Sequence, residues 1–166
     1  MVLSLLACIG RGAPQAAADG TTLRVVSIVE SVATGEVLAA PSALLDSVQQ
    51  TTSARGIAGA NFDIIPVLEP FSRHRDTRSR IGLLPPYSGA TLFVETQPSF
   101  YSEMNGKYRW TVRVRLTVSP SDYNDTFDVP VFLQFYHERD EAAVAAAAPV
   151  IARHTAQLLD AWLAAP

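Results

Sequence analysis

Residues 108–118 read YRWTVRVRLTV, with apolar side chains at Tyr108, Trp110, Val112, Val114, Leu116 and Val118 and polar ones at Arg109, Thr111, Arg113, Arg115 and Thr117. Period-two alternation over such a length does not suit a helix and specifies a β-strand with one buried and one wetted face. A second run answers it: Phe127, Val129, Val131, Leu133 and Phe135 are apolar, separated by Asp128, Pro130, Phe132, Gln134 and Tyr136. Joined through SPSDYNDT, the two predict an antiparallel pair that shares one core face. Pairing Val118 with Phe127 sets Leu116 opposite Val129, Val114 opposite Val131 and Val112 opposite Leu133. The same register puts Arg113 beside Phe132 and Arg109 beside Tyr136 on the reverse face, as cation–π pairs worth about 0.5–1 kcal/mol each when exposed.

Upstream, residues 90–100 (ATLFVETQPSF) supply a third strand, connected through YSEMNGK, in which Asn105-Gly106 is a type I′ hairpin turn. The tightest register would turn Glu95, Gln97 and Ser99 inward. One residue must therefore be absorbed in a bulge near Pro98, returning Leu92, Val94 and Phe100 to the core and placing Arg115 opposite Glu95. After the strands, the chain ends with ERDEAAVAAAAPVIARHTAQLLDAWLAAP, which predicts an amphipathic helix that Asp140 can cap. Val144, Ala147, Ala148, Ile151, Thr155, Leu158, Leu159 and Trp162 form its apolar stripe, and Pro149 kinks or divides it.

In the first half, residues 22–32 (TLRVVSIVESV) are rich in β-branched side chains and predict a strand buried on both faces. Following the loop ATGEVLAAP, Ser42 is placed to cap a helix running to about Arg55, with Leu44, Leu45, Val48 and Thr52 at helical spacing and Gly56 as the stop. Residues 62–68 (FDIIPVL) read as a short strand that Pro66 confines to an edge or bulge. The order of elements indicates an α+β fold: a two-layer sandwich, with a mainly antiparallel sheet of about five strands and two main helices on one face. Residues 21–166 are expected to form one such domain, long enough to bury a core without metal or disulfide support.

A hydrophobic fraction of 48% excludes a disordered chain, and a net charge of −3 argues against nucleic acid as a partner. No G-x-S-x-G, Walker loop, H-E-x-x-H or spaced cysteine set occurs, and no cofactor or metal is expected. His74, His137 and His154 share no ligand spacing. His137 precedes Glu138, Asp140 and Glu141, a place where a base could meet carboxylates. SDYNDTFD gathers Asp122, Asn124, Asp125 and Asp128, but lacks the central glycine and terminal glutamate of an EF-hand loop and reads as a hairpin turn.

Two cationic features remain. SRHRDTRSR, residues 72–80, contains Arg73, His74, Arg75, Arg78 and Arg80 around Asp76 and reads as a solvated loop that could catch an anionic partner. Arg109, Arg113 and Arg115, with Phe132 and Tyr136, lie on the polar side of the alternating strands. If no helix covers that side, they form a cationic and aromatic surface suited to an anionic polymer or a protein partner.

The only cysteine, Cys8, follows Leu5-Leu6-Ala7. This LLAC resembles the bacterial lipobox, in which the cysteine becomes lipidated after signal cleavage. The apolar run is short and no basic residue precedes it, so part of the signal is expected upstream. Ala16-Ala17-Ala18 offers an alternative A-x-A cleavage site, and residues 12–20 read as a tether, leaving residues 1–20 outside the fold. Together with the element order over residues 22–163, Cys8 gives the chain a resemblance to small envelope lipoproteins of the TolB N-terminal, CsgG-like and penicillin-binding-protein-activator types. That resemblance implies a periplasmic protein, anchored in the membrane by lipid, with a binding or scaffolding role in the cell envelope. The alternative is a soluble, cytoplasmic or secreted, small-ligand-binding protein or enzyme with its site near the arginine-rich segment and His137.

Overall fold

The computed structural model describes residues 21–134 and 139–165. Among them, one mixed sheet is built from β1 (Thr22–Glu30), β2 (Val37–Ala39), β3 (Ala58–Asn61), β4 (Ala90–Met104), β5 (Lys107–Ser119) and β6 (Tyr123–Leu133). The strand order is β2-β1-β4-β5-β6. The outer edge of β1 is shared: β3 runs parallel to its first half, β2 antiparallel to its second. β1 and β4 are parallel, and β4, β5 and β6 form an antiparallel meander. The fold is α+β, as its sequence pattern indicates.

Helices α1 (Ser42–Ser53) and α4 (Asp140–Leu163) lie on one face. They close the main core, where Leu44, Val48, Val144, Ile151 and Leu159 meet Leu23, Val25, Leu92, Val94, Val112, Val114 and Leu116. The opposite face of β1 and β4 carries Val26, Ile28 and Phe93, covered by a 3-10 turn (Ile65–Val67) and the short helices α2 (Leu68–Ser72) and α3 (Thr77–Gly82) through Phe71, Ile64 and Leu84. β1 is therefore apolar on both sides because both sides are packed.

Several local expectations change. Residues 62–68 do not form a strand: the edge of β1 is already filled by Ala58–Asn61, and Pro66 enters the 3-10 turn near its start, where a missing N–H is harmless. The arginine-rich segment is only partly a loop: Ser72 ends α2, residues 73–76 connect the two short helices, and residues 77–80 open α3. Asp76 caps α3 by accepting the Ser79 N–H at 2.8 Å, and this bond holds the Asp76 carboxyl below its ordinary pKa. Pro41 and Arg139, in extended conformation, occupy the cap positions of α1 and α4 expected for Ser42 and Asp140. Helix α4 continues through Pro149, which lies on its exposed side, where a carbonyl deprived of its donor stays hydrated.

The hairpin registers show which signals act at which range. Val118 pairs with Tyr123, not Phe127, so β6 is displaced by four residues from the expected pairing. A shift by an even number leaves every side chain on its expected face, and Val112, Val114, Val129 and Val131 are all core residues. The tight turn responsible uses Asp122 at φ 55°, a conformation aspartate tolerates better than most side chains. In the β4–β5 hairpin, Asn105 (φ 55°) and Gly106 (φ 70°) form the two-residue turn, and the compensating bulge is at Tyr101 rather than near Pro98. Arg115 stands opposite Glu95, as expected, and Leu92 and Val94 face the core. Phe100 shares their side of the sheet but sits beyond the core, 47% exposed.

Candidate binding surface

The side of the sheet away from α1 and α4 divides into a covered half over β1 and β4 and an open half over β5 and β6. A chain of alternating charges marks the boundary. Arg80, projecting from α3, is 1% exposed. Its Nη2 donates to Glu30 Oε2 at 2.7 Å, its Nη1 to Glu95 Oε1 at 2.9 Å, and its Nε to the Phe71 carbonyl at 3.3 Å. Outside this centre, Arg75 Nη1 donates to the second oxygen of Glu30 at 2.7 Å, and Thr77 donates its hydroxyl to Glu95. Arg115 Nη1 donates to the Thr77 oxygen at 3.1 Å and lies 3.9 Å from Glu95. Two nearly buried carboxylates on apolar strands are tolerable only with such partners.

The arginines named from the sequence therefore separate into different roles. Arg80 is wholly engaged inside the protein and Arg75 partly so. Arg73 is exposed and pairs with Glu69 one turn away, an arrangement of little energetic weight. His74 is half-buried in the connection between α2 and α3, and Arg78 is exposed on α3. Within the segment Arg80 faces the interior, while Arg73, Arg75 and Arg78 are exposed.

On the open half, Arg109 is held between two rings, 5.4 Å from the centroid of Tyr101 and 5.7 Å from that of Phe132. Phe132 is its direct cross-strand neighbour, the place the expected register gave to Tyr136. Arg113 stands opposite Asp128, not Phe132, and donates Nε to Asp128 Oδ1 at 3.1 Å; this pairing raises the guanidinium pKa. The side chains of Arg113 and Arg115 remain 63% and 47% exposed, and Phe132 is 55% exposed, so among the described residues this half is open to solvent. A cleft of about 530 Å³ between α3 and the strands joins Arg78 and Arg115 with Thr77, Thr117, Asn124 and Thr126. Its hydroxyls and guanidiniums can donate to oxygen-rich anions. Tyr136, His137 and Cys8 lie outside the described residues.

Sequence reasoning missed Arg24, which closes the far end of this layer. Its guanidinium lies 5.6 Å from the Phe62 ring and 5.0 Å from that of Tyr87 and donates to the Pro85 carbonyl at 2.7 Å. Burial lowers its pKa, opposed by Tyr87. The acids of SDYNDTFD diverge: Asp128 meets Arg113, while Asp125 lies 2.8 Å from Nδ1 of His154, whose ring stacks on Phe127 at 3.6 Å. No helix among the described residues is long and apolar enough to cross a membrane.

No protein-family model matches the sequence, and no curated protein matches it. Solved structures that are similar include lipoprotein GNA1162 from Neisseria meningitidis, with TM-score 0.39 and 14% identity over 82% of this chain and 99% of that one. A PelC dodecamer from Paraburkholderia phytofirmans gives TM-score 0.39 and 14% identity over 89% and 94%. A putative neuraminyllactose-binding hemagglutinin homolog from Helicobacter pylori gives 0.30 and 10% over 93% and 86%. A bacterial lipoprotein is thus among the structures this chain is similar to.

Proposed function

We propose that this chain is an exported, lipid-anchored binding or scaffolding domain of the bacterial cell envelope, working by contact instead of catalysis. Cys8 is the lipid attachment point, residues 12–20 are the tether, and the anchored domain engages an anionic envelope polymer, or the acidic surface of an envelope protein, through the open half of its sheet. The observation that carries this reading is Arg109 between Tyr101 and Phe132, beside the exposed Arg113 and Arg115. Flat rings hold the guanidinium in place while leaving its N–H groups for an anion, so less side-chain freedom is lost on binding. The buried arginine of the same layer is already satisfied by two carboxylates, which favours a structural use over a reactive one.

The test is retention of the full chain, carrying Cys8→Ser to keep it free of lipid, on immobilised dextran sulfate. Retention at low salt and release at high salt is expected, because exposed charges act through screened attraction. A variant with Arg78, Arg109 and Arg115 replaced by alanine is expected in the flow-through. Wild-type protein in the flow-through, or equal retention of the folded variant, contradicts the proposal.

A further inference from the structure

Where the covered and open halves of the sheet meet, the charged network around Arg80 borders a recess of about 220 Å³ that no hydrophobic side chain lines. Glu30, Glu95 and Gln97 reach it from β1 and β4, Arg113 and Arg115 from β5, and Arg75 from the connection between α2 and α3. Its acceptors are spent, whereas its donors are not. Glu30 accepts from Arg75 on one oxygen and from Arg80 on the other, and Glu95 accepts from Arg80 on one and from Thr77 on the other. Arg75 gives one nitrogen to this network, Arg115 one to Thr77, and Arg113 two to Asp128. A guanidinium carries five N–H groups, so all three arginines keep donors for a ligand. Gln97, half-buried and opposite Arg113, adds a side-chain amide with no hydrogen bond among the described residues.

This arrangement selects a ligand by charge and by shape. With Asp128 counted, four guanidiniums meet three carboxylates; Asp76, next to Arg75 in the chain, lies outside the lining and accepts the Ser79 N–H. A cation would have to displace an arginine from Glu30 or Glu95, and an apolar molecule would strip water from the guanidiniums without return. An anion meets the unused donors instead. These come from three separate segments, so a planar carboxylate, with two oxygens, satisfies fewer of them than a phosphate, with three terminal oxygens spread in space and up to twice the charge. The volume is below that of an ordinary small-molecule pocket, which leaves room for one such group and the few atoms next to it. We infer that the recess binds a single phosphomonoester group through Arg75, Arg113, Arg115 and Gln97. The inference deepens the function proposed above, on which an envelope polymer as carrier of that group rests; a free sugar phosphate is the other source of the same chemistry.

Glucose 6-phosphate and glucuronate share a sugar and differ in the charged group. Each is titrated by calorimetry at low salt into the full chain carrying Cys8→Ser. Saturable binding of glucose 6-phosphate is expected, with glucuronate several-fold weaker. Arg75→Ala/Gln97→Ala is expected to weaken glucose 6-phosphate by about ten-fold or more, the range of lost hydrogen bonds to a charged group. Should that variant fail to fold, Gln97→Ala alone, which changes no charge, is expected to weaken it several-fold. Arg73→Ala removes the same charge as Arg75→Ala from an exposed site outside the recess and is expected to leave affinity within about two-fold. Phosphorylated dextran, titrated in parallel, separates the sources: tighter binding per phosphate than glucose 6-phosphate identifies a polymer as carrier, and weaker binding identifies a free ligand. Equal affinity for glucuronate, equal losses in the Arg73 and Arg75 variants, or no saturable response to glucose 6-phosphate overturns the inference. Retention on dextran sulfate without phosphate binding removes this inference alone, whereas phosphate binding by protein that dextran sulfate does not retain removes the polymer reading alone.

Discussion

Arg80 and Glu95 approach to 2.9 Å in a place where the arginine is 1% exposed and the glutamate 8%. With Glu30 on the guanidinium's other side, α3 is fixed to both β1 and β4 by charge. Removing one member of a buried ionic group leaves the others uncompensated. Arg80→Met is therefore expected to cost about 3–5 kcal/mol, read from urea unfolding followed by tryptophan fluorescence. Arg78→Met, two residues away on the solvent side, is expected to stay within about 0.5 kcal/mol of wild type.

Gly35 adopts φ +73° in the β1–β2 turn, and a Cβ there would run into the Arg75 guanidinium that serves Glu30. Gly35→Ala is expected to lose about 1–2 kcal/mol from the backbone conformation together with displacement of Arg75. In an Arg75→Ala background the loss should shrink without vanishing. A double-mutant cycle by thermal unfolding separates the two parts, and an additive result would remove the steric one.

Asp160 on α4 accepts two hydrogen bonds from Arg55, at 2.7 and 2.9 Å, and this pairing lowers its pKa from the ordinary 3.8. A carboxylate with a depressed pKa stabilises the folded state above its unfolded value, and the contribution disappears as pH falls through the folded value. Asp76 behaves likewise through the Ser79 N–H. Stability is thus expected to fall below about pH 4, and Asp160→Asn to flatten that fall while leaving the Asp76 part. Urea midpoints measured between pH 6 and pH 3 provide the check.

Arg113 and Asp128 also form an ion pair, but with 63% and 49% of their side chains exposed. Arg113→Ala is expected to leave the urea midpoint close to that of wild type, in contrast to Arg80→Met, because water screens the pair. If both substitutions proved equally damaging, the open half of the sheet would not be solvent-exposed as described.

How far the sequence revealed these features depended on the range of each signal. Alternation in β5 and β6 determines faces, and Val112, Val114, Val129 and Val131 go where their parity sends them. Pairing depends on the turn, and Asp122 at positive φ tightened it by four residues, giving Arg109 its contact with Phe132 and Arg113 its contact with Asp128. β3 and the 3-10 turn are too short for any period to appear. Arg80 was hidden because a run of arginines suggests water, while the telling signal lay elsewhere. Glu30 and Glu95 are lone acids on apolar strands, and each required a buried cation. Asp76 and Ser79, at helix-capping spacing just before Ile81 and Leu84, marked the helix that carries it.

Envelope anchoring is tested most directly by the amino terminus of the protein recovered from membranes of cells expressing it. Intact-mass and peptide mass spectrometry are expected to find Cys8 as the first residue, carrying acyl chains, with Cys8→Ser moving the protein out of the membrane fraction. Unacylated protein that retains Met1 and partitions with the soluble fraction would contradict the proposal.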